Sequence, residues 1–280
     1  MFATDLLQGK RALITGGGTG LGKAMARRYL ELGAEVYICG RREEVLKQTQ
    51  GEFAGLGRIG VFPCDVRDLS AVEENIARVW ESGPLDILVN NAAGNFLART
   101  EDLSPRAFEA VIGIVLTGTI NMTMTMGRRW LTEKHPGTVL NIVATYASSG
   151  SGSGYVVPSA MAKAGVLALT RSLAVEWGPK GIRMNAIAPG PIPTEGAFSR
   201  LIPRKELEKL AVQRVPMRRF GTPEEIANLA AYLVADGSAY INGEVVTMDG
   251  GEWLQGAGEF NFLGQMLSDA DWEMFRPRKK

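Results

Sequence analysis

The stretch that most constrains this chain is Thr15-Gly16-Gly17-Gly18-Thr19-Gly20-Leu21-Gly22. It follows an apolar run over 11–15 (RALIT) and precedes a segment whose Leu21, Met25, Tyr29 and Leu32 recur at helical spacing. A chain that turns from strand to helix on glycines offers bare backbone N–H groups and the positive end of a helix dipole. That arrangement cradles a pyrophosphate. Gly16, Gly20 and Gly22 give the spacing G-x-x-x-G-x-G, not G-x-G-x-x-G. A ligand-free glycine turn is the plain alternative, and the strand before it and helix after it argue against that.

The rest of the chain repeats the alternation. Apolar β-rich runs predict strands over 35–39, 59–62, 86–90, 138–143, 182–188 and 244–248. Helical periodicity predicts helices over 20–32, 42–56, 69–81, 104–133, 158–177 and 222–235. Near-continuous apolar strands separated by helices imply a parallel sheet covered on both faces. The expected fold is α/β: a Rossmann-type, doubly wound, seven-stranded parallel sheet with helices on both sides. No repeat or low-complexity linker divides the chain, so one domain is expected over 1–280. Its proline-rich stretch reads as a substrate loop at about 190–215, and residues 251–280 as an irregular tail with a frayed basic end, Arg276–Lys280.

Composition excludes several classes. Lys plus Arg number 31 against 30 Asp plus Glu, so no basic excess points to nucleic acid. Cys39 and Cys64 lie in apolar runs and read as buried free thiols. The single histidine, His135, reads as a solvated turn residue, and with two scattered cysteines it makes no metal site. No apolar stretch reads as long enough to span a bilayer, and residues 1–10 lack the order of a signal peptide. A soluble protein of a reducing compartment, cytoplasmic by default, is expected. Met122, Met124 and Met126 read as helix packing.

The end of the second strand bears on the choice of cofactor. An acidic residue there would bind the adenosine ribose hydroxyls of NAD(H). Gly40-Arg41-Arg42 stands there instead, and a guanidinium suits a 2′-phosphate, so NADP(H) is expected.

These motifs, with Cys64-Asp65-Val66, Asn90-Asn91-Ala92-Ala93-Gly94, Lys163 on a long helix and Pro189-Gly190-Pro191-Ile192, resemble the short-chain dehydrogenase/reductase family over nearly the whole chain. The resemblance implies cofactor contacts from Gly16, Gly18, Thr19, Gly20, Leu21, Gly22, Arg41, Asp65, Val66, Asn91, Ala92, Lys163, Pro189, Gly190 and Ile192. Two departures stand out. Ser159 occupies the place of the usual tyrosine four residues before the lysine, and Val115 that of the helix asparagine in N-x-x-G. The 2,4-dienoyl-CoA reductase branch of the mitochondrial type shares these departures, and GGGTGLGK, CDVRD, NNAAGNF and GSGYVVPSAMAKAGV are similar to its sequences. By that resemblance the catalytic residues are Tyr146, Asn95, Ser159 and Lys163. Arg67, Phe96, Ser104 and Arg200 would touch an acyl-CoA thioester. A homotetramer is also implied, formed through the helix at 104–133 and the Lys163 helix.

Reduction of a dienoyl thioester sends hydride to the remote end of the conjugated system and collects charge on the thioester oxygen. That oxygen needs preorganised donors. The Tyr146 hydroxyl and Asn95 amide can supply two, Lys163 would hold the nicotinamide ribose and lower the tyrosine pKa, and Ser159 could position a water to protonate the α-carbon. Tyr155 is the rival phenol. The expected activity is NADPH-dependent reduction of 2,4-dienoyl-CoA to 3-enoyl-CoA in unsaturated fatty acid β-oxidation. Two alternatives stay open: a reductase of another carbonyl or enoyl substrate, such as a 3-oxoacyl thioester, and a non-catalytic NADP(H)-binding sensor.

Overall fold

The strands are β1 (Arg11–Thr15), β2 (Glu35–Gly40), β3 (Ile59–Pro63), β4 (Ile87–Asn90), β5 (Gly137–Ile142), β6 (Ile182–Pro189) and β7 (Val245–Met248) in a computed structural model that describes residues 2–147, 152–194, 205–257 and 268. All pair in parallel in one sheet, in the order β3-β2-β1-β4-β5-β6-β7. The chain runs outward from β1 to β3, then returns to lay β4 on the other side of β1. The order reverses there, which opens a crevice above the carboxyl ends of β1 and β4.

Alternation along the strands feeds two cores. Ala12 and Ile14 of β1 enter one cluster with Met25, Tyr29 and Leu30 of α1 (Gly20–Glu31), Leu46 and Phe53 of α2 (Glu43–Phe53), and Ile226 and Leu233 of α8 (Pro223–Val234). Leu13 points the other way, into a cluster with Val72 and Ile76 of α3 (Leu69–Trp80), Met122, Met126 and Trp130 of α5 (Gly118–Glu133), and Trp177 of α6 (Val157–Trp177). A strand with both faces buried must be apolar where it crosses the core, as Ala12–Ile14 of β1 and Ile87–Val89 of β4 are. Caps set the helix starts: the Asp68 carboxylate accepts from the Ala71 N–H at 3.2 Å, and Thr222 and Glu225 form a reciprocal capping box.

Five expectations need correction. The expected helix over 104–133 is α4 (Pro105–Ile112) and α5, joined by a π-helical turn, Gly113–Thr117. This Pro105–Glu133 run is long and apolar enough to cross a membrane by length and composition, against the expectation that nothing was. Val111, Val115, Met122, Met126 and Trp130 bury one of its faces in the protein, which accounts for part of that apolarity. The expected loop at 190–215 contains α7 (Lys205–Arg214), and the expected irregular tail begins with α9 (Glu252–Ala257). The sequence of α7, KELEKLAVQR, carries too few apolar residues to mark a face. Lastly, His135 is half-buried, its Nε2 2.9 Å from Asp86 Oδ1, because the carboxylate at the foot of β4 draws it in.

Candidate active site

The crevice has a larger part of about 800 Å³ and a smaller one of about 160 Å³, and Gly16, Thr19, Ala92 and Ala93 line both. The glycine turn forms their shared floor. Gly16 and Gly20 have φ of +65° and +54°, a region side chains disfavour. A Cβ on Gly22 would come within 2.5 Å of both the Gly16 carbonyl oxygen and Asn91 Nδ2, and one on Gly17 within 2.4 Å of Ile38. Thr19 occupies the N-cap of α1 without a side-chain cap, and no acidic residue lies in the first turn. The orphan N–H groups of that helix end therefore keep their positive field. A turn that admits no added side chain and ends on an unneutralised helix dipole fits a pyrophosphate.

Thr15, which sequence reasoning passed over, ties this floor to the next loop. Its hydroxyl accepts from the Asn91 and Ala92 N–H groups, each at 2.9 Å, and its carbonyl accepts from Asn91 Nδ2 at 2.9 Å. A threonine ending a strand carries no signal of this beyond β-propensity.

The smaller part is lined by Arg41, Arg42, Asp65, Val66 and Ile114, among others. Arg41 is exposed and makes no ion pair among the described residues. Arg67 instead grips Asp65 through its Nε at 2.9 Å and Nη2 at 2.5 Å. Hydrogen bonding from Arg67 holds the Asp65 carboxyl below its usual range. Both side chains are well exposed, so the pair contributes little stability. Asn121, also unanticipated, holds this wall by donating to the Val66 carbonyl at 2.9 Å.

The larger part holds the four expected catalytic residues. Tyr146 sits on a 3-10 turn, Thr145–Ala147, just past β5; Asn95 follows β4; Ser159 and Lys163 lie one turn apart on α6. The Tyr146 hydroxyl is 3.1 Å from Ser159 Oγ and accepts from Asn95 Nδ2 at 3.4 Å. The Phe96 N–H donates to Asn95 Oδ1 at 2.9 Å, which leaves the amide nitrogen to face the phenol. Lys163 is nearly buried, and its ammonium donates to the Ile142 carbonyl. Burial pushes Lys163 down to about 8. Burial pushes the Tyr146 phenol up, only partly eased by the Ser159 hydrogen bond. The expectation that Lys163 lowers the tyrosine pKa is thus reversed: desolvation dominates, and the phenol stays protonated.

Leu21, Asn91, Pro189 and Gly190 also line the larger part. Other expected residues are not brought to the crevice. Ile192 packs on the core beside Gly221, and Phe96 on the cluster around Val111, Val115 and Val143. Ser104 is the exposed N-cap of α4, Arg67 turns to Asp65, and Tyr155 is 65% exposed and lines neither part. Arg200 lies outside the described residues. Thr194 and Arg214, within the expected substrate loop, and Glu252 and Trp253, at the start of the expected tail, also line the larger cavity, though none was singled out in the sequence. No group of three or more His, Cys, Asp or Glu among the described residues could hold a metal.

A family model described as enoyl-(acyl carrier protein) reductase matches residues 16–252. A Bacillus subtilis protein named "Probable 2,4-dienoyl-CoA reductase [(2E)-enoyl-CoA-producing]" is 49% identical over 251 residues, 89% of this chain and 98% of the relative. A Caenorhabditis elegans protein named "Probable 2,4-dienoyl-CoA reductase 3 [(3E)-enoyl-CoA-producing]" is 45% identical over 253 residues, 88% of this chain and 81% of its own length. The crystal structure of a short chain dehydrogenase from Bacillus anthracis is 45% identical with a TM-score of 0.79, covering 89% of this chain and 98% of that one. The Pseudomonas aeruginosa RhlG/NADP complex is 30% identical with a TM-score of 0.82, covering 90% of this chain and 100% of that one. With this fold, this glycine cradle and these relatives, the chain belongs to the short-chain dehydrogenase/reductase family of nicotinamide-dependent oxidoreductases.

Proposed function

We propose that this protein reduces 2,4-dienoyl-CoA to 3-enoyl-CoA with NADPH, serving β-oxidation of unsaturated fatty acids. The observation that carries this reading is the Asn95–Tyr146–Ser159 chain, with contacts of 3.4 and 3.1 Å, set beside the buried Lys163. The tyrosine reaches the site from the end of β5, while a serine stands one turn before the lysine. When bound, NADPH supplies the hydride. Ser159, donating to the phenol oxygen, frees the Tyr146 proton to face the cavity. That proton and the Asn95 amide then meet the thioester oxygen as negative charge develops on it. A phenol held protonated by burial suits a hydrogen-bond donor better than a general base. Lys163 would hold the ribose of the bound cofactor, and a water placed by Ser159 delivers the proton to the α-carbon.

Arg41 supports NADPH, since it is a guanidinium with no ion pair among the described residues, on the smaller pocket at the place of a ribose-binding acid. The RhlG complex, solved with NADP, is consistent with that choice. We further propose a homotetramer assembled through α4–α5 and α6, and a cytoplasmic location, which the buried free thiols of Cys39 and Cys64 suit.

The test mixes purified protein with NADPH and either hexa-2,4-dienoyl-CoA or acetoacetyl-CoA, follows NADPH loss, and assigns the product double bond by NMR. The expected result is turnover of the dienoyl thioester to the 3-enoyl isomer. A 2-enoyl product would move protonation from the α- to the γ-carbon and remove the role given to Ser159. Turnover of acetoacetyl-CoA alone would make the protein a ketone reductase; NADPH binding with neither substrate turned over would make it a sensor.

A further inference from the structure

The far wall of the larger cavity comes from two short elements outside the family motifs. Trp253, on the first turn of α9, lines the cavity together with Glu252 and with Arg214 at the end of α7. Its neighbour Leu254 is 73% exposed, whereas Trp253 is half-buried, so the helix commits its indole to the cavity side. Three restraints hold it there. Asp249, just past β7, spends both carboxylate oxygens on the turn into α9, accepting from Gly251 N–H at 2.8 Å and Trp253 N–H at 2.7 Å. Asp249 also packs against Gly190, where an added Cβ would meet its Cβ at 2.6 Å, so the Pro189–Gly190 edge and α9 share one support. Glu252 pairs loosely with Arg214 at 3.8 Å, and the Met217 N–H donates to the Gly250 carbonyl at 3.3 Å, joining α9 to the segment after α7.

We propose that Trp253 is a specificity-determining residue whose indole is the wall on which the acyl chain of the thioester packs, and that Asp249 is the positioning residue that sets it. This rests on the reading of the cavity as an acyl-thioester site. The chemistry favours it: a large, rigid apolar surface with few rotatable bonds binds an alkyl chain at low entropic cost. Of the ionisable groups beside the indole, the Asp249 carboxylate is taken up by the turn into α9, and Glu252 pairs with Arg214, which also lines the cavity.

The experiment uses the full-length enzyme loaded with cofactor. KM for 2,4-dienoyl-CoA thioesters of six, ten and fourteen carbons is measured in the wild type and in Trp253→Ala, Trp253→Phe and Asp249→Ala. In the wild type KM should fall with chain length. Trp253→Ala should flatten that dependence, raising KM for the longer chains about tenfold, with NADPH affinity unchanged and Trp253→Phe restoring part of it. Asp249→Ala should reproduce the flattened profile. Decanoyl-CoA titrated into the NADP-loaded protein should quench tryptophan emission in the wild type and not in Trp253→Phe, a binding readout that needs no turnover. If the wild type reduces no dienoyl thioester but shows this quench, the acyl wall stands and the proposed reaction falls. An unchanged chain-length profile in Trp253→Ala, or equal quenching in Trp253→Phe, overturns the wall.

Discussion

At the scale of single residues, the site works through what burial does to two ionisable groups. Tyr146 is pushed upward, so over the neutral range it is a donor that holds its proton. Tyr146→Phe removes that donor and keeps the ring. Loss of one such donor costs about 2–4 kcal/mol in the barrier, so kcat for the dienoyl thioester should fall by about two orders of magnitude with KM changed little. Steady-state kinetics at saturating NADPH decide it, and a variant with full kcat would take the phenol out of the chemistry. Lys163 moves the other way, down to about 8 from 10.5. A buried lysine with a depressed pKa is a constant penalty below pH 8, where the folded protein must hold an ammonium out of water. Between about 8 and 10.5 the unfolded chain binds more protons than the folded one, so this group's contribution to stability rises with pH across that window. The gain is at most about 3 kcal/mol. The melting temperature of the wild type relative to Lys163→Met should therefore improve from pH 7.5 to pH 10; a constant difference would mean that Lys163 is not desolvated as the fold implies. The identity of both residues was legible in the sequence through the family pattern. The sign of the tyrosine shift was not, because it depends on how many neighbours cover the ring. Thr15 and Asn121 were equally hidden, since their hydrogen bonds reach residues 76 and 55 positions away.

At the scale of elements, legibility follows periodicity. The seven strands stand where apolar runs predict them, because a strand buried on both faces has little choice of composition. α1 and α3 likewise announce themselves through apolar spacing, and α6 through a long apolar run with proline at its start. α7 and α9 do not: half of the first is charged and the second is too short to show a period, and both are held by contacts with distant parts of the chain. The π turn at Gly113–Thr117 is invisible for a related reason, since one extra residue per turn leaves no mark on an already apolar run. The turn between β1 and α1 is the opposite extreme, a local geometry that glycine alone permits. Gly22→Ala tests it. The added Cβ would fall 2.5 Å from the Gly16 carbonyl oxygen, which is backbone, and 2.5 Å from Asn91 Nδ2, which the Thr15 carbonyl holds in place, so the turn must open. NADPH affinity, read from its fluorescence on titration, should weaken by at least tenfold while the far-ultraviolet circular dichroism stays that of the wild type. Unchanged affinity would show that the cofactor is not seated on this turn.

At the scale of the whole molecule, one feature is left unbalanced by a single chain. The Pro105–Glu133 run is apolar enough to cross a membrane, yet only 33% of its most apolar window is buried. The sheet takes one face, through Val115, Met122, Met126 and Trp130. On the outward side of this layer Ile120 is exposed, and on α6 Met161 and Val175 are 53% and 79% exposed. Apolar positions that two adjacent helices leave facing outward are covered by copies of the same chain, because a two-fold axis sets the same residues against each other in pairs. A charge introduced at such a position meets its own copy in a desolvated interface and destabilises the assembly far more than the isolated chain. Met161→Glu combined with Val175→Glu should therefore convert the proposed particle of four chains into one or two, as measured by light scattering at micromolar concentration, while thermal unfolding remains cooperative. A wild type that is already monomeric under those conditions would refute the assembly. Intact tetramers in the double variant would instead move the interface off these two helices. The same measurement bears on the site, because α6 carries Ser159 and Lys163 on its buried side and Met161 between them on its exposed one. If assembly braces that helix, the dissociated variant should lose kcat more than it loses NADPH affinity, since the glycine turn belongs to the β1–α1 junction and not to α6.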